Sequence, residues 1–200
     1  GAGTFKPDLT GVSAFSVGGH KGLLAPQGLG FLWTDPAFRA RLVPVGTWLS
    51  VEQGDDFRRA STDFERDWLP DGRCLEPGGP PMLGSVALLA SLEFLNSAGI
   101  EALETHVRGL QELFLAGLVD LPTWSREALR LRGLWEEDRL GPLLSLHHGG
   151  RGQDAMQDLL KSAYLCGIYP SVRDGYLRLA FHGWHGLGDV DRLLAWLKGR

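Results

Sequence analysis

The chain has little cysteine and no long hydrophobic run. Only two cysteines, Cys74 and Cys166, occur in 200 residues, and no CxxC motif is present. They can build neither a disulfide framework nor a four-thiolate metal site, so we expect a reducing, cytoplasmic setting. The longest apolar stretches, such as 86–90, fall far short of the roughly 20 residues that cross a bilayer, and the first residues do not resemble a signal peptide. We therefore expect a soluble protein with no membrane partner.

Charge of one sign is not in excess either. The 20 basic and 24 acidic side chains leave a formal net charge of −4, and the basic residues form no dense run. Surfaces that bind nucleic acid concentrate lysine and arginine, so we expect no nucleic-acid partner. Hydrophobic residues make up 44% of the chain and charged residues 22%, which is typical of a folded domain and excludes wholesale disorder.

Glycine is the residue type in excess. The chain contains 28 glycines, about twice the ordinary share of ~7%, with clusters at 18–30 and 78–84. The runs 12–16 and 29–33 are short and β-prone, and the segment between them contains four glycines and Pro26, which disfavour a helix. We predict a strand, a functional loop and a second strand here.

Helical periodicity begins after residue 81, beyond a proline-rich stretch that we interpret as mostly exposed connection. Leucines at 88, 92 and 95 share one helix face, and Gly99 is placed to end that helix. A second one-sided helix follows, with its apolar stripe at Ile100, Leu103, Val107, Leu110 and Phe114.

The last third of the chain alternates between strand and helix patterns. We predict strands near 143–147, 168–172 and 177–181, and a helix near 153–165. A closing helix follows, with Asp189 as its N-cap. Together these elements predict an α/β sandwich in which helices cover one face of one sheet.

Lys21 lies in the glycine-rich loop, after a strand that we predict to be buried. Most lysines are solvated charges, but glycines let the backbone approach a ligand, and the second strand would hold the loop rigid. A lysine amine in a partly desolvated pocket loses proton affinity, and the neutral amine can attack a carbonyl to form a Schiff base. We therefore predict that Lys21 is a covalent catalytic residue.

The segment AFSVGGHKGLLAPQGLGFLW (14–33) resembles the lysine motif of the class V aminotransferases, a family of the pyridoxal-phosphate (PLP) fold type I group that includes cysteine desulfurases and kynureninases. The resemblance continues through RCLEPGGPP (73–81) and YLRLAFH (176–182), in the family's order. It implies the C-terminal portion of a fold type I PLP-dependent transferase. Residues 1–83 would end the large-domain sheet, and residues 84–200 would form linker helices and a small α/β C-terminal domain.

The resemblance implies cofactor-binding roles for four residues. Lys21 corresponds to the lysine that forms the aldimine with pyridoxal 5'-phosphate and acts as general base, and His20 to a neighbour of the cofactor phosphate. Gly18 occupies the position of the family's serine, so Ser16 would replace that serine only if two extra residues bulge out. Gly79 stands where the family has a threonine that reaches a phosphate across the dimer.

Arg178 corresponds to the arginine that binds the α-carboxylate of the substrate. Strand alternation supports this role, because Leu177, Leu179 and Phe181 share one face and leave Arg178 on the other. An ordinary surface ion pair is the alternative for Arg178.

The resemblance implies a homodimeric enzyme that uses PLP on small amino-acid or keto-acid substrates. Transamination, β-elimination and racemisation share these residues, so a cysteine desulfurase or another lyase or epimerase of the family is an alternative. A desulfurase carries its nucleophilic cysteine after the strand that corresponds to 167–175, where this chain has none, and we interpret Cys166 as structural. A different class of alternative is an inactive fold relative that acts as an interaction module, as Gly18 and Gly79 suggest.

The beginning of the chain, GAGTFKPDLTGVSAFS, resembles the stretch just after the family's aspartate that pairs with the pyridinium nitrogen. The stacking aromatic residue and the N-terminal phosphate loop would also lie in the missing N-terminal half of the fold. Each charge-assisted hydrogen bond lost with that half is worth about 1.5–3 kcal/mol. We therefore expect the isolated chain to bind PLP weakly and to be inactive.

The remaining candidate ligands are paired histidines, His147 with His148 and His182 with His185. Adjacent residues of a strand point to opposite faces, and no carboxylate or thiolate cluster accompanies either pair. We therefore expect no metal site.

Overall fold

The computed structural model describes residues 3–44, 46–60, 62–63, 65–147, 153–198 and 200. Within them are helices α1 (Pro36–Arg39), α2 (Met82–Ala98), α3 (Ile100–Val119), α4 (Ser125–Glu136), α5 (Gln153–Leu165) and α6 (Leu187–Leu197), and strands β1 (Ala14–Gly18), β2 (Gly30–Thr34), β3 (Leu143–His147), β4 (Ser171–Arg173) and β5 (Tyr176–Ala180).

The chain forms two compact units. One is Pro7–Ser97, and the other combines Gly1–Lys6 with Ala98–Arg200. This division differs from the expected domain boundary at 83/84, which stays a prediction.

Among the described residues no single helix is long and apolar enough to cross a membrane, and only α2 and α3 taken together meet that length and composition.

In the unit Pro7–Ser97, β1 and β2 form an antiparallel hairpin with Ala14 opposite Thr34 and Gly18 opposite Gly30. The predicted pairing of the two strands is therefore confirmed. β1 begins two residues later than predicted because a turn, in which the Val12 amide donates to the Leu9 carbonyl (3.0 Å), precedes it. The prediction of a buried strand is wrong, because the residues of β1 alternate between exposed and half-buried.

In the described part of the segment between this hairpin and α2, the elements are α1 and two short 3₁₀ turns, Trp48–Ser50 and Gly72–Leu75. It is mostly connection, as predicted. α2 then covers the predicted leucine positions, of which Leu95 is buried. Gly99 follows with a φ of 82°, a left-handed conformation that glycine adopts without strain, and it separates α2 from α3 as predicted.

The second unit has its core on α3. Val107, Leu110 and Phe114 of the predicted stripe are fully or almost fully buried, and Phe114 packs edge-on against Phe181 with ring centroids 5.9 Å apart. α4 was not predicted from the sequence. Its apolar residues share one helix face, but they lie in a short segment, SREALRLRGLWE, that is rich in charged residues and low in overall hydrophobicity.

The sheet of this unit is antiparallel with the order β3-β5-β4. One face carries buried leucines, Leu144, Leu146, Leu177 and Leu179, which belong to the same core as α3, α4 and α6. The outward residues of its strands are exposed or half-buried. The prediction of one sheet covered by helices on one face is confirmed for this unit.

Two details of this unit correct the sequence analysis. β4 is shorter than predicted because Pro170 has no N–H for a ladder and the Ile168 amide instead donates to Ala163 at the end of α5 (3.0 Å). Asp189 is not the N-cap of α6. The N-cap is Gly186, and the Asp189 carboxylate, in the first turn, accepts a hydrogen bond from its amide (2.9 Å).

Candidate functional site

The loop that carries Lys21 is fixed by backbone hydrogen bonds. The Gly19 amide donates to the Leu29 carbonyl (2.8 Å), and the Ala25 amide donates back to the Gly19 carbonyl (2.9 Å). Gly19 is buried, and a Cβ there would lie 2.9 Å from the Leu29 carbonyl oxygen. The loop therefore closes tightly over its own strands and requires glycine at this position.

Helix α2 holds the same loop from the other side. Leu23 and Ala25 are buried, and the Ser91 hydroxyl of α2 donates to the Leu24 carbonyl (3.2 Å). Leu24 itself has a φ of 60°, a left-handed conformation that is costly for leucine. The loop is thus held in one conformation by its hairpin and by α2.

Lys21 lies at the surface of this rigid loop. Its side chain is exposed and makes no hydrogen bond or ion pair with any residue that the structure describes. The partly desolvated pocket that we predicted around the amine is therefore not formed by the described part of this chain, because the residues that the loop buries are Gly19, Leu23 and Ala25. The amine is accessible to a ligand.

The other predicted cofactor residues lie in the same unit. Ser16 and His20 are exposed, on β1 and at the start of the loop. The β1–β2 ladder continues regularly through Gly18, so the bulge that a phosphate-binding role of Ser16 would require is not present. Gly79 is exposed, and a Cβ there would meet no atom within 4 Å, so this position has room for the side chain that it lacks.

Arg178 occupies the central strand of the other unit. It is half-buried on the open face of the sheet, directly between Ser145 of β3 and Ser171 of β4. Leu177 and Leu179 are buried on the opposite face, as the alternation predicts. The guanidinium group forms no hydrogen bond or ion pair with the described residues, so the alternative interpretation of Arg178 as an ion-pair partner has no support there.

A tight turn places Ser171 opposite Arg178. Asp174 and Gly175 connect β4 to β5, and both have positive φ angles, 49° and 76°. Two consecutive positive φ angles are typical of a type I′ hairpin turn, whose favoured sequences include Asp-Gly. The turn also pairs Arg173 with Tyr176 and so places a second arginine on the open face. The Asp-Gly dipeptide between β-prone runs was the signal that sequence reasoning missed.

Two acidic side chains that fix local structure, one in each compact unit, have lowered pKa values. Hydrogen bonds from the Arg73 side chain and amide lower the pKa of Asp71 from 3.8 to about 2, and this pair fixes the 3₁₀ turn of the RCLEPGGPP segment. Burial acts to raise the pKa of Glu127, but hydrogen bonds from Arg130 (2.7 Å) and from the His147 amide (3.0 Å) outweigh it and lower that pKa. Glu127 thereby ties α4 to the end of β3.

The described residues contain no group of three or more histidine, cysteine or acidic side chains that could hold a metal ion. His148 lies outside them. His182 and His185 bond to the local backbone, where His185 Nδ1 accepts from the His182 amide (2.9 Å). Cys166 is exposed just beyond α5, so the core position that a structural cysteine normally takes is not observed.

Comparison with known proteins identifies similar sequences among the cysteine desulfurases. A "Cysteine desulfurase" of Dickeya dadantii is 24% identical over 190 residues, which are 92% of this chain and 43% of the relative. A "Probable cysteine desulfurase" of Pyrococcus abyssi is 25% identical over 194 residues, 92% of this chain and 45% of the relative. The chain thus spans less than half the length of these curated relatives.

Solved structures with the same fold also match this chain over about half of their own length. The Escherichia coli cysteine desulfurase CsdA matches with a TM-score of 0.70 and 21% identity, covering 98% of this chain and 48% of CsdA. The cystine C-S lyase C-DES in complex with cysteine persulfide matches with a TM-score of 0.74 and 21% identity, covering 98% and 49%. A C-DES mutant with glycine covalently linked to its PLP cofactor has a TM-score of 0.75 at 19% identity, covering 98% and 49%.

These matches confirm the predicted fold, because the mixed α/β structure of this chain matches about half of the chain of each of these solved proteins. The family model "Aminotransferase class-V" matches residues 2–135, which are more than half of the 200 residues and include the Lys21 loop, the RCLEPGGPP segment and helices α2 and α3. The chain therefore belongs to the class V aminotransferase family.

Proposed function

We propose that this chain is the lysine-bearing portion of a PLP-dependent enzyme that acts on a small amino acid or keto acid. The observation that carries the proposal is the accessible amine of Lys21 on a loop that backbone hydrogen bonds and α2 hold in one conformation. Covalent catalysis by lysine requires a fixed amine that a carbonyl can reach. We further propose that the enzyme is a homodimer, and that it is cytoplasmic, with which its two free thiols agree.

The side chains of this chain can supply some of the groups that bind the cofactor. The exposed Lys21 amine would hold the cofactor through its aldehyde group and would move a proton at the α-carbon of the substrate, and the exposed His20 could donate a hydrogen bond toward the phosphate. Ser16 is exposed too, but the regular β1–β2 ladder lacks the bulge that would bring it to the phosphate. When bound, the cofactor acts as an electron sink for the bond that breaks at the α-carbon. Gly79 contributes no hydroxyl, so further phosphate donors must come from elsewhere in the fold.

Arg178 has the chemistry to bind the substrate carboxylate. Its half-buried guanidinium group has all its N–H donors available on the open face of the sheet, and a planar guanidinium binds a carboxylate through two parallel hydrogen bonds. We propose that Arg178 binds and orients the carboxylate of the substrate.

Between the two sulfur-releasing reactions of the relatives, one observation favours simple elimination at the β-carbon, as in a C–S lyase, over transfer of sulfur to a thiol of the protein. No cysteine follows residue 166, so the region after Gly175 offers no thiol to accept sulfur from a substrate. A β-elimination needs only the cofactor, a base and the carboxylate clamp, and the structural neighbour C-DES is a cystine C-S lyase. Transamination is the alternative, and product analysis distinguishes them, since elimination releases a keto acid and ammonia without an amino acceptor.

Covalent labelling tests the role of Lys21. The chain has four lysines, Lys6, Lys21, Lys161 and Lys198. The intact protein is titrated with pyridoxal phosphate, reduced with borohydride and mapped by mass spectrometry. We expect a saturable visible absorption band and a label on Lys21 that Lys21→Arg abolishes. The control Lys161→Arg changes an exposed lysine that pairs with Asp158 and should leave both unchanged.

Equal labelling of all four lysines, or an unchanged absorption band in Lys21→Arg, would refute the assignment. It would favour the second candidate, an interaction module that keeps the fold without the chemistry. The exposed apolar side chains of α2, which include Leu83 (89% exposed) and Phe94 (65%), are the observation that favours this candidate.

For the isolated chain 1–200 we propose weak cofactor binding, because the chain spans less than half of the length of its relatives.

A further inference from the structure

We propose that the unit Pro7–Ser97 contains a binding site for a planar aromatic molecule that carries one anionic group. The site is an open cavity of about 820 Å³, lined by three aromatic rings and four charged side chains. Pockets that bind small molecules typically measure roughly 300–1,000 Å³. Neither Lys21 nor Arg178 lines this cavity, so the site goes beyond the proposed function and does not depend on it.

A short antiparallel bridge fixes two walls of the cavity. Val51 lies directly opposite Trp68, and the Leu69 amide donates to the Ser50 carbonyl (3.0 Å). Ser50 ends the 3₁₀ turn that begins at Trp48, so the bridge positions both tryptophans. The backbone that carries the two indole rings is therefore held by hydrogen bonds.

The loop between these two segments supplies a third ring. Phe57 contacts Trp48, with ring centroids 5.6 Å apart and ring planes tilted by 51°. The Phe57 side chain is nonetheless 83% exposed, and Trp48 and Trp68 are each about half exposed. Large apolar side chains that remain exposed around a concave surface are typical of a binding site. These rings favour a flat aromatic ligand, because ring pairs attract each other beyond the burial of apolar area.

The charged side chains of the cavity have an excess of positive charge. The Asp63 carboxylate accepts hydrogen bonds from Arg59 (2.8 Å) and from Arg66 (3.4 Å), so two guanidinium groups share one carboxylate. Burial acts to raise the pKa of Asp63, but these two arginines outweigh it and lower that pKa, so the carboxylate stays ionised. The other acidic side chain of the lining, Asp56, is already bound by Arg58 through two hydrogen bonds (2.7 and 3.0 Å). One positive charge is therefore left over.

This charge is partly shielded from water. Only 10% of the Arg66 side chain is exposed. Arg59 is more accessible, and no described residue bonds to its Nε. An anionic group of a ligand can therefore accept a hydrogen bond from Arg59 and neutralise the excess charge. The remaining carboxylates of the segment are exposed and do not line the cavity; they are Glu52, Asp55, Glu65 and Asp67.

The ligand class that fits is an aromatic carboxylate of one or two fused rings. A neutral aromatic molecule contacts the rings but leaves the charge of Arg59 and Arg66 unmatched. A saturated carboxylate matches that charge but loses the attraction between rings. Because Phe57 and Arg59 are both partly exposed, we expect each of the two features to raise the affinity about fivefold.

Calorimetric titration of the intact protein at low ionic strength tests the site with three probes. They are naphthoate, its neutral amide naphthamide and its saturated analogue decahydronaphthoate. We expect naphthoate to bind about fivefold more tightly than either of the others. Arg59→Gln should remove the preference for naphthoate over naphthamide without weakening naphthamide. Phe57→Ala, which removes a mostly exposed ring, should weaken both aromatic probes about fivefold.

Two matched controls change the same residue types elsewhere in the unit. Phe94→Ala removes an exposed ring of α2, and Arg41→Gln removes an exposed arginine, and neither residue lines the cavity. Both variants should bind naphthoate as tightly as the unmodified protein.

Equal affinities of the three probes, or no saturable binding of naphthoate, would overturn the proposal. A preference for naphthoate over naphthamide that survives Arg59→Gln would overturn it as well. So would a loss in Phe94→Ala as large as that in Phe57→Ala, because it would show adsorption to any exposed apolar side chain. None of the probes carries an aldehyde, so failure here leaves the labelling test of Lys21 unaffected, and failure of that labelling leaves this site standing.

Discussion

Replacing Gly30 by alanine is expected to open the hairpin that holds the Lys21 loop. Gly30 is paired with Gly18 at the end of the β1–β2 ladder, next to the loop. A Cβ at position 30 would lie far inside van der Waals contact of the Val17 carbonyl oxygen and 3.3 Å from the Gly18 Cα. Both are backbone atoms, so no rotamer change relieves the overlap.

The size of the effect follows from what must move. Forcing an extra methyl group against packed backbone costs about 1–3 kcal/mol. Separating the strands at this end also weakens the adjacent bonds, such as that from the Gly19 amide to the Leu29 carbonyl (2.8 Å), and each net hydrogen bond contributes about 0.5–1.5 kcal/mol. The hairpin should therefore lose about 2–4 kcal/mol of local stability.

Amide hydrogen exchange measured by mass spectrometry reports this local loss. We expect peptides that cover residues 14–34 to exchange at least about 30-fold faster in Gly30→Ala, since ~1.4 kcal/mol corresponds to a factor of ten. Gly72→Ala is the matched control, because a Cβ at position 72 meets no atom within 4 Å. Unchanged exchange at 14–34 in Gly30→Ala would show that the strands tolerate the methyl group and that the glycine is not required by the backbone contact.

Three further predictions concern stability. Phe114→Ala removes a fully buried ring that packs against Phe181. It should lower the free energy of unfolding by about 3–5 kcal/mol, measured by urea denaturation. Leu113→Ala, at a half-exposed position, should lower that free energy much less. The pKa of Asp71 is lowered to about 2, so its pairing with Arg73 stabilises the fold above about pH 4, and this stabilisation is lost as the pH falls toward 2. Asp71→Asn should remove that part of the pH dependence. Urea denaturation midpoints of both proteins at pH 3 and pH 6 measure it. Gly175→Val should destabilise the β4–β5 hairpin by about 1–3 kcal/mol in thermal melts, while Gly175→Asn, which tolerates a positive φ, should cost less.

Local sequence patterns predicted the parts of the site that depend on backbone conformation. The alternation of Leu177, Arg178 and Leu179 placed the arginine on the open face, and the glycine at position 99 marked the break between α2 and α3. Both features depend on a few adjacent residues, so no knowledge of distant contacts is required.

Burial could not be predicted in the same way. The surroundings of Lys21 depend on which segments cover the hairpin, and an apolar strand sequence does not reveal whether they do. Asp189 shows a second limit, because an acidic residue near a helix start suits both the N-cap and the first turn. Only the backbone angles of Gly186 distinguish the two.

The second compact unit joins two segments that are distant in the sequence, and this affects the order of folding. Residues 3–6 belong with 98–200, where the Lys6 amide donates to Glu104 (3.1 Å) and Phe5 packs on the core. The segment Pro7–Ser97 is contiguous and can fold as soon as it has been synthesised, whereas residues 3–6 must wait for a partner surface made roughly ninety residues later. Bringing such distant segments together costs about 4 kcal/mol of chain entropy. Docking of residues 3–6 therefore belongs to a late step of folding, and until it occurs the part of the core that Phe5 covers remains open to other apolar contacts.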